Sequence, residues 1–166
     1  MRKYTVLFFT LALLTPLFII GCNVATEPFL PLQNDEMRAT ISDFGSFDVT
    51  GVITLSSGSG YLSVKARYND SLVITLFIPK QATAPYTITV QNDNVAVIDY
   101  CVQQTSGVCT NYDAKKGQGS GTITVSSLTS EGTSTIMEGT FSATVTNPAN
   151  GGSKTISGGQ FKIKYQ

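Results

Sequence analysis

The sequence predicts an all-β domain, a single antiparallel β-sandwich with an up-and-down β-barrel as the alternative, behind an apolar leader and a short tether. Three observations carry this expectation. Several segments alternate apolar and polar residues with a period of two, as a strand with one wet face requires: Leu62, Val64, Ala66 and Tyr68 in "YLSVKARY", Ile123 and Val125 in "GTITVSSL", Phe141, Ala143 and Val145 in "EGTFSATV". Turn-forming clusters separate such segments at short intervals: "SGSG", "QNDN", "TSG", "KKGQGSG" and "NPANGG". No stretch carries a helical apolar stripe of useful length.

At the N-terminus, Arg2 and Lys3 precede an apolar run, Val6 to Ile20, broken only by Thr10, Thr15 and Pro16. As a helix it would reach about 22 Å, short of the roughly 30 Å hydrocarbon core, so residues 1–21 read as a signal peptide and not a membrane span. The run ends in "IIGC", which resembles the lipobox of bacterial lipoproteins. The resemblance implies cleavage before Cys22 and a diacylglyceryl thioether on its sulfur, usually with an amide-linked acyl chain such as palmitate. A protein held by two or three chains is anchored to the membrane without crossing it. Asn23 stands where an aspartate would resemble an inner-membrane retention signal, which favours the outer membrane. Glu27 is the only acidic residue just after the cysteine, which favours the periplasmic face over the cell surface. Residues 22–36, with Pro28 and Pro31 and no apolar alternation, read as a tether reaching at most about 46 Å.

Residues 37–166 have the length of one domain. Strands are expected at Met37 to Ile41, Phe47 to Leu55, Tyr61 to Tyr68, Ser71 to Ile78, Tyr86 to Gln91, Val95 to Val102, Val108 to Tyr112, Gly121 to Leu128, Glu138 to Val145 and Thr155 to Tyr165. "SLVITLFI" is apolar almost throughout and is expected to be a central strand covered on both sides. About nine or ten strands suit a sandwich of this length.

Composition narrows the function classes. The whole chain has eleven Lys plus Arg against eleven Asp plus Glu; without residues 1–21, which hold Arg2 and Lys3, nine face eleven, a net charge of −2. That balance suggests no nucleic-acid partner. There is no histidine, so a Ser-His-Asp or Cys-His arrangement is excluded, as is a His-completed zinc site. Asp70, Asp99 and Asp113 supply carboxylates for a glycan hydrolase, but nothing in the sequence brings them together. Asn92, Asp93 and Asn94 in "QNDNV" lack the spacing of a calcium loop and read as a hairpin turn. No catalysis, metal or cofactor is expected beyond the covalent lipid on Cys22. With Cys22 lipidated, Cys101 and Cys109 form a pair that a hairpin turning around Thr105 to Gly107 would bring opposite one another as a disulfide. Closing so short a loop contributes about 2.5 kcal/mol.

The order "MRATISDFGSF", "GSGYLSVKA", "GSGTITVSSL", "EGTFSATVTN" and "KTISGGQFKIKY" resembles a family of Gram-negative, Bacteroidota-type lipoproteins known as a domain of unknown function. Its closing pattern, a Gly-x-Phe strand followed by Thr-Ile-x-x-Gly-x-Phe, is carried here by Gly139 to Phe141 and Thr155 to Phe161. The chain departs from the family at Met37 and Phe47, where it often has Phe and an aromatic such as Trp. The resemblance implies a fold and no site residues.

Two function classes follow. The first is a non-catalytic binding module for a glycan or an envelope protein, using the loop "TNYDAKKGQGSG" (Asn111, Tyr112, Asp113, Lys115, Lys116) and the Tyr61, Lys65, Arg67 face. The second is a structural subunit of an envelope complex, docking through a sheet edge.

Overall fold

Alternation along each strand sets which side faces inward, and the inward sides together make one core. The computed structural model describes residues 31–51, 53–58, 60–93, 97–103 and 107–166. Cys22, the expected lipidation site, and residues 1–30, which cover the expected signal peptide and most of the expected tether, lie outside these residues. Eleven strands are described: β1 (Glu36–Ile41), β2 (Gly45–Thr50), β3 (Ile53–Gly58), β4 (Tyr61–Tyr68), β5 (Leu72–Pro79), β6 (Tyr86–Thr89), β7 (Val97–Gln103), β8 (Cys109–Ala114), β9 (Ser120–Glu131), β10 (Ser134–Thr146) and β11 (Ser153–Tyr165). The described strands pair antiparallel in one open sheet of order β2-β1-β11-β10-β8-β7-β5-β4-β3, with β9 on β10 and β6 on β9.

The sheet branches on β10. β9 occupies one edge of β10 from Ser134 to Thr144, and β8 takes over at Thr146, which pairs with Asp113. Between β8 and β9 a tight turn, closed by Lys115 and Gln118, carries Gly119 at φ +62° into the corner. A Cβ there would stand 2.5 Å from the Thr144 carbonyl oxygen and 2.7 Å from that of Asp113, so only glycine fits. The branch yields two wings, β2-β1-β11-β10-β9-β6 and β3-β4-β5-β7-β8. Met37, Phe47, Ile123, Phe141 and Phe161 from the first share a single buried cluster with Leu62, Ile74, Leu76, Ile98 and Tyr100 from the second. This is the sandwich-like, all-β arrangement that the period-two pattern predicts.

The centre of the first wing is a reciprocal pairing on β10 and β11. Gly139 lies opposite Phe161, Phe141 lies opposite Gly159, and the two rings sit 6.4 Å apart. Each ring covers the backbone of the glycine facing it: a Cβ on Gly139 would be 2.5 Å from Phe161, and one on Gly159 would be 2.7 Å from Phe141. Bulges flank the pair. The register of β11 slips against both neighbours beside Gly158, which has φ +59°, and β9 slips at Ser126, whose hydroxyl donates to the Glu138 carbonyl at 3.0 Å.

The structure corrects several expectations. The single strand expected from Phe47 to Leu55 is two, because Gly51 (φ +73°) turns the chain from the outer strand of one wing to that of the other. "QNDN" is no hairpin turn. Val90–Asn92 form a 3-10 turn between β6, which pairs with β9, and β7, which pairs with β5 and β8; Asn94 lies outside the described residues. β1 begins at Glu36, a residue the sequence assigns to the tether; it is 2% exposed, accepting from the Gln33 amide, Arg38 and Thr50. β5 is central, and its outer side is covered in part: Val73 is buried there at 4% exposure. There Phe77 is half-buried beside Tyr61, and Val73 lies in register between Arg67 and Cys101.

Gly139→Ala places a methyl group against the Phe161 ring and the Thr124 carbonyl oxygen, 2.2 Å from ideal Cβ geometry. Urea denaturation is expected to show a loss of about 1–3 kcal/mol, as overpacked cores do.

Candidate functional site

The outer side of the β3-β4-β5-β7-β8 wing is set by what its inner side must bury. Leu62, Val64 and Ala66 of β4, Ile74, Leu76 and Ile78 of β5, Ile98 of β7 and Ala114 of β8 are fully buried. The intervening residues therefore point outward: Tyr61, Ser63, Lys65 and Arg67, then Val73, Thr75 and Phe77, then Asp99, Cys101 and Gln103, then Cys109, Asn111, Asp113 and Lys115. Register arranges them in rows across the sheet. One row runs Lys65, Thr75, Asp99, Asp113; the next runs Arg67, Val73, Cys101, Asn111.

Most of the residues that the sequence singles out for binding thus share one face. Tyr61, Lys65, Arg67, Asn111 and Asp113 come together, although the sequence assigns them to two separate features. Tyr112 does not join them: it is on the inner side, its ring 5.9 Å from that of Tyr100, with the Lys154 ammonium 5.7 Å from its centroid. The segment read as a polar loop is also corrected. Residues 110–114 are strand, because Tyr112 and Ala114 pack inward, and only the turn following Lys115 is loop.

At one end of the face the Tyr61 ring leans on Phe77 at 5.9 Å. At the other, Arg67 donates to the Gln103 side chain at 3.1 Å. The disulfide joins Cys101 to Cys109 with 5.5 Å between Cα atoms. The two are diagonal and not directly opposite as expected, since Cys101 pairs with Asn111 and Cys109 with Gln103. The bridge ties β7 to β8 beside their turn; Thr105 and Ser106 lie outside the described residues.

Nothing in the sequence joins Asp99 to Asp113, yet they are direct cross-strand partners. Directly opposite side chains have Cβ atoms about 4.5–5.5 Å apart, and like charges so placed repel. Burial, then the charge of Asp113 and a hydrogen bond with it, push the Asp99 carboxyl up to about 7, against the opposing pull of Lys115. Lys115 donates to Asp113 Oδ2 at 2.8 Å, and this bond holds the ammonium pKa above its ordinary value. Two carboxyls in hydrogen-bond contact share a proton. Among the described residues, no group of three or more Cys, Asp or Glu side chains could hold a metal ion.

A concavity of about 450 Å³ opens between the β3-β4 end and the ends of β1, β10 and β11. Leu55, Leu62 and Tyr165 line it with Asp35, Ser134 and Lys164. None of the residues singled out in the sequence reaches it.

No family model, curated protein or solved structure matches the chain.

Because folding raises the Asp99 pKa, the folded chain holds a proton between about pH 4 and 7 that the unfolded chain has released. Its contribution to stability therefore falls as pH rises through this window, and the penalty is complete above it. Asp99→Asn removes the penalty. The Tm of the variant minus that of the parent is expected to grow from about pH 5 to about pH 8 by circular dichroism, and a flat difference would refute the shared proton.

Proposed function

We propose that this protein is a lipid-anchored module of a Gram-negative outer membrane that binds a glycan on the outer face of the β3-β4-β5-β7-β8 wing and performs no catalysis. Anchoring rests on the charged end, apolar run and "IIGC" sequence ahead of Cys22, and the periplasmic face is favoured by the sparse acidity after it. The strand signatures further support membership of the lipoprotein family that they resemble.

The observation that carries the binding reading is the gathering of Tyr61, Lys65, Arg67, Asn111 and Asp113 on one strand-built face beside the Tyr61–Phe77 pair. An aromatic ring presents an apolar plane to the C–H face of a sugar, and the flanking amide, carboxylate and cationic groups match its hydroxyls. Side chains fixed on paired strands are held more firmly than on loops, so less order must be imposed on binding. The residues from Tyr61 to Arg67 extend about 20 Å along β4, long enough for an oligosaccharide.

A structural role in an envelope complex is the second reading. It is favoured by β3, which among the described residues pairs only with β4 and leaves an edge for a partner strand.

Two outcomes are expected. Calorimetry against cell-wall and host-type glycans should find a ligand whose affinity falls about tenfold in Tyr61→Ala, with the fold retained by circular dichroism; a ligand indifferent to Tyr61 places the site elsewhere. Cys22→Ser should move the protein from the membrane to the soluble fraction and abolish acyl labelling, whereas retention in the membrane would overturn the anchor.

A further inference from the structure

The glycan reading leaves open which glycans the face accepts, and its charges bear on that choice. Lys65 and Lys115 are exposed, and Arg67 engages Gln103 through one of its two terminal nitrogens. Against these three cations stand Asp99 and Asp113, which face each other across β7 and β8. While the pair shares a proton it carries one negative charge and the face is net positive by two. When both ionise, the excess halves. The whole chain, by contrast, is neutral in formal charge.

The surroundings of Asp99 isolate it as the variable charge. From β5 it meets Thr75 in register, and Val73 and Phe77 on either side, none of which titrates. From β8 it meets Asp113 and Lys115, and beyond Thr75 on β4 stands Lys65. β10 adds Thr146, which does not titrate, opposite Asp113. Lys and Arg keep their charge through neutrality, so the paired carboxyls alone among these groups change charge there.

We propose that the ligand of this face is an acidic glycan, its carboxylates met by Lys65 and Arg67 and its ring by Tyr61, and that the Asp99–Asp113 pair weakens the complex as pH rises. This rests on the glycan-binding reading of the same face. Asp99 lies about two strand spacings, or about 10 Å, from Lys65, and Asp113 one spacing further. At that distance, one added negative charge at a partly wet surface changes affinity about three- to fivefold.

The test uses the whole chain purified from membranes in a neutral detergent, titrated by calorimetry with hexameric oligogalacturonate and, as neutral probe, maltohexaose. Oligogalacturonate is expected to bind about three- to fivefold more tightly at about pH 6 than at about pH 8.5. Asp99→Asn should bind alike at both, near the tighter value, and Lys65→Ala should weaken binding at each pH. If Asp99→Asn fails to fold, Asp113→Asn, which also ends the opposition of two carboxylates, should flatten the profile. A pH effect that persists in a folded variant overturns the gate. Binding of maltohexaose in preference to oligogalacturonate, lost in Tyr61→Ala, overturns the acidic ligand while leaving the glycan-binding face intact. Failure of both probes and of every glycan in the wider panel overturns the face itself.

Discussion

The close approach of β10 and β11, made possible by two glycines lying under two phenylalanines, is the constraint on which the rest of the structure depends. Gly139 under Phe161 and Gly159 under Phe141 bring the strands' inner faces together where a side chain at either glycine would collide. Glycine in a strand interior ordinarily weakens it through entropy and lost packing. Here each missing side chain is replaced by a ring from the opposite strand, so the deficit becomes dense core. The bulges beside the pair, at Gly158 and Ser126, bend these strands, and a bent β10 can carry β9 along most of one edge and release its end to β8. That release is where the two wings pair strand to strand, through Thr146 and Asp113.

The candidate face is a consequence of that geometry. Once the second wing folds over the core, β4, β5, β7 and β8 must turn Leu62, Val64, Ile74, Leu76, Ile98 and Ala114 inward. Everything of alternate parity is then displayed together, whatever its separation in sequence. The Cys101–Cys109 bridge lies on this outer side and couples β7 to β8 at one end, while Lys115, bonded to Asp113, marks the other. The face is consequently stiff along the hairpin that carries both carboxyls.

Strand identity was legible wherever one face is wet. β4 matches its expected span because Tyr61 to Tyr68 alternates without interruption, and the inward residues of β9 and β10 are those that the pattern selects. Breaks were less legible, since a glycine can serve a strand, a bulge or a turn: Gly51 ends β2, whereas Gly139 lies within β10. Pairing was the least legible. "QNDN" has the composition of a hairpin turn, but the strands on either side join different wings, and no local signal distinguishes a crossover from a hairpin. The gathering of Tyr61, Lys65, Arg67, Asn111 and Asp113 depends on the same information: parity could be read for β4, but the register of β4 on β5, β7 and β8 is non-local. Tyr112 closes the strand expected from Val108, so its parity is readable, but grouping it with the polar residues after it as a binding segment conceals its inward side.

Asp99 and Asp113 are the clearest case in which local rules give no guidance. Pairing like charges across a strand lowers stability, and many uncharged residues would satisfy an outward position on β7. The sheet does not need a carboxyl there: Thr75, in the same row on β5, shows that a hydroxyl is accommodated. The disulfide already pins the hairpin, and Lys115 can neutralise Asp113 without help from β7. What the second carboxyl adds is a charge that changes near neutrality, in a row that also contains Lys65. Violations of local consistency concentrate where a protein meets its ligand or stores strain. This one lies on the face where the fold assembles an aromatic pair and three cations, and on the binding reading we propose, the unfavourable contact serves recognition and not folding.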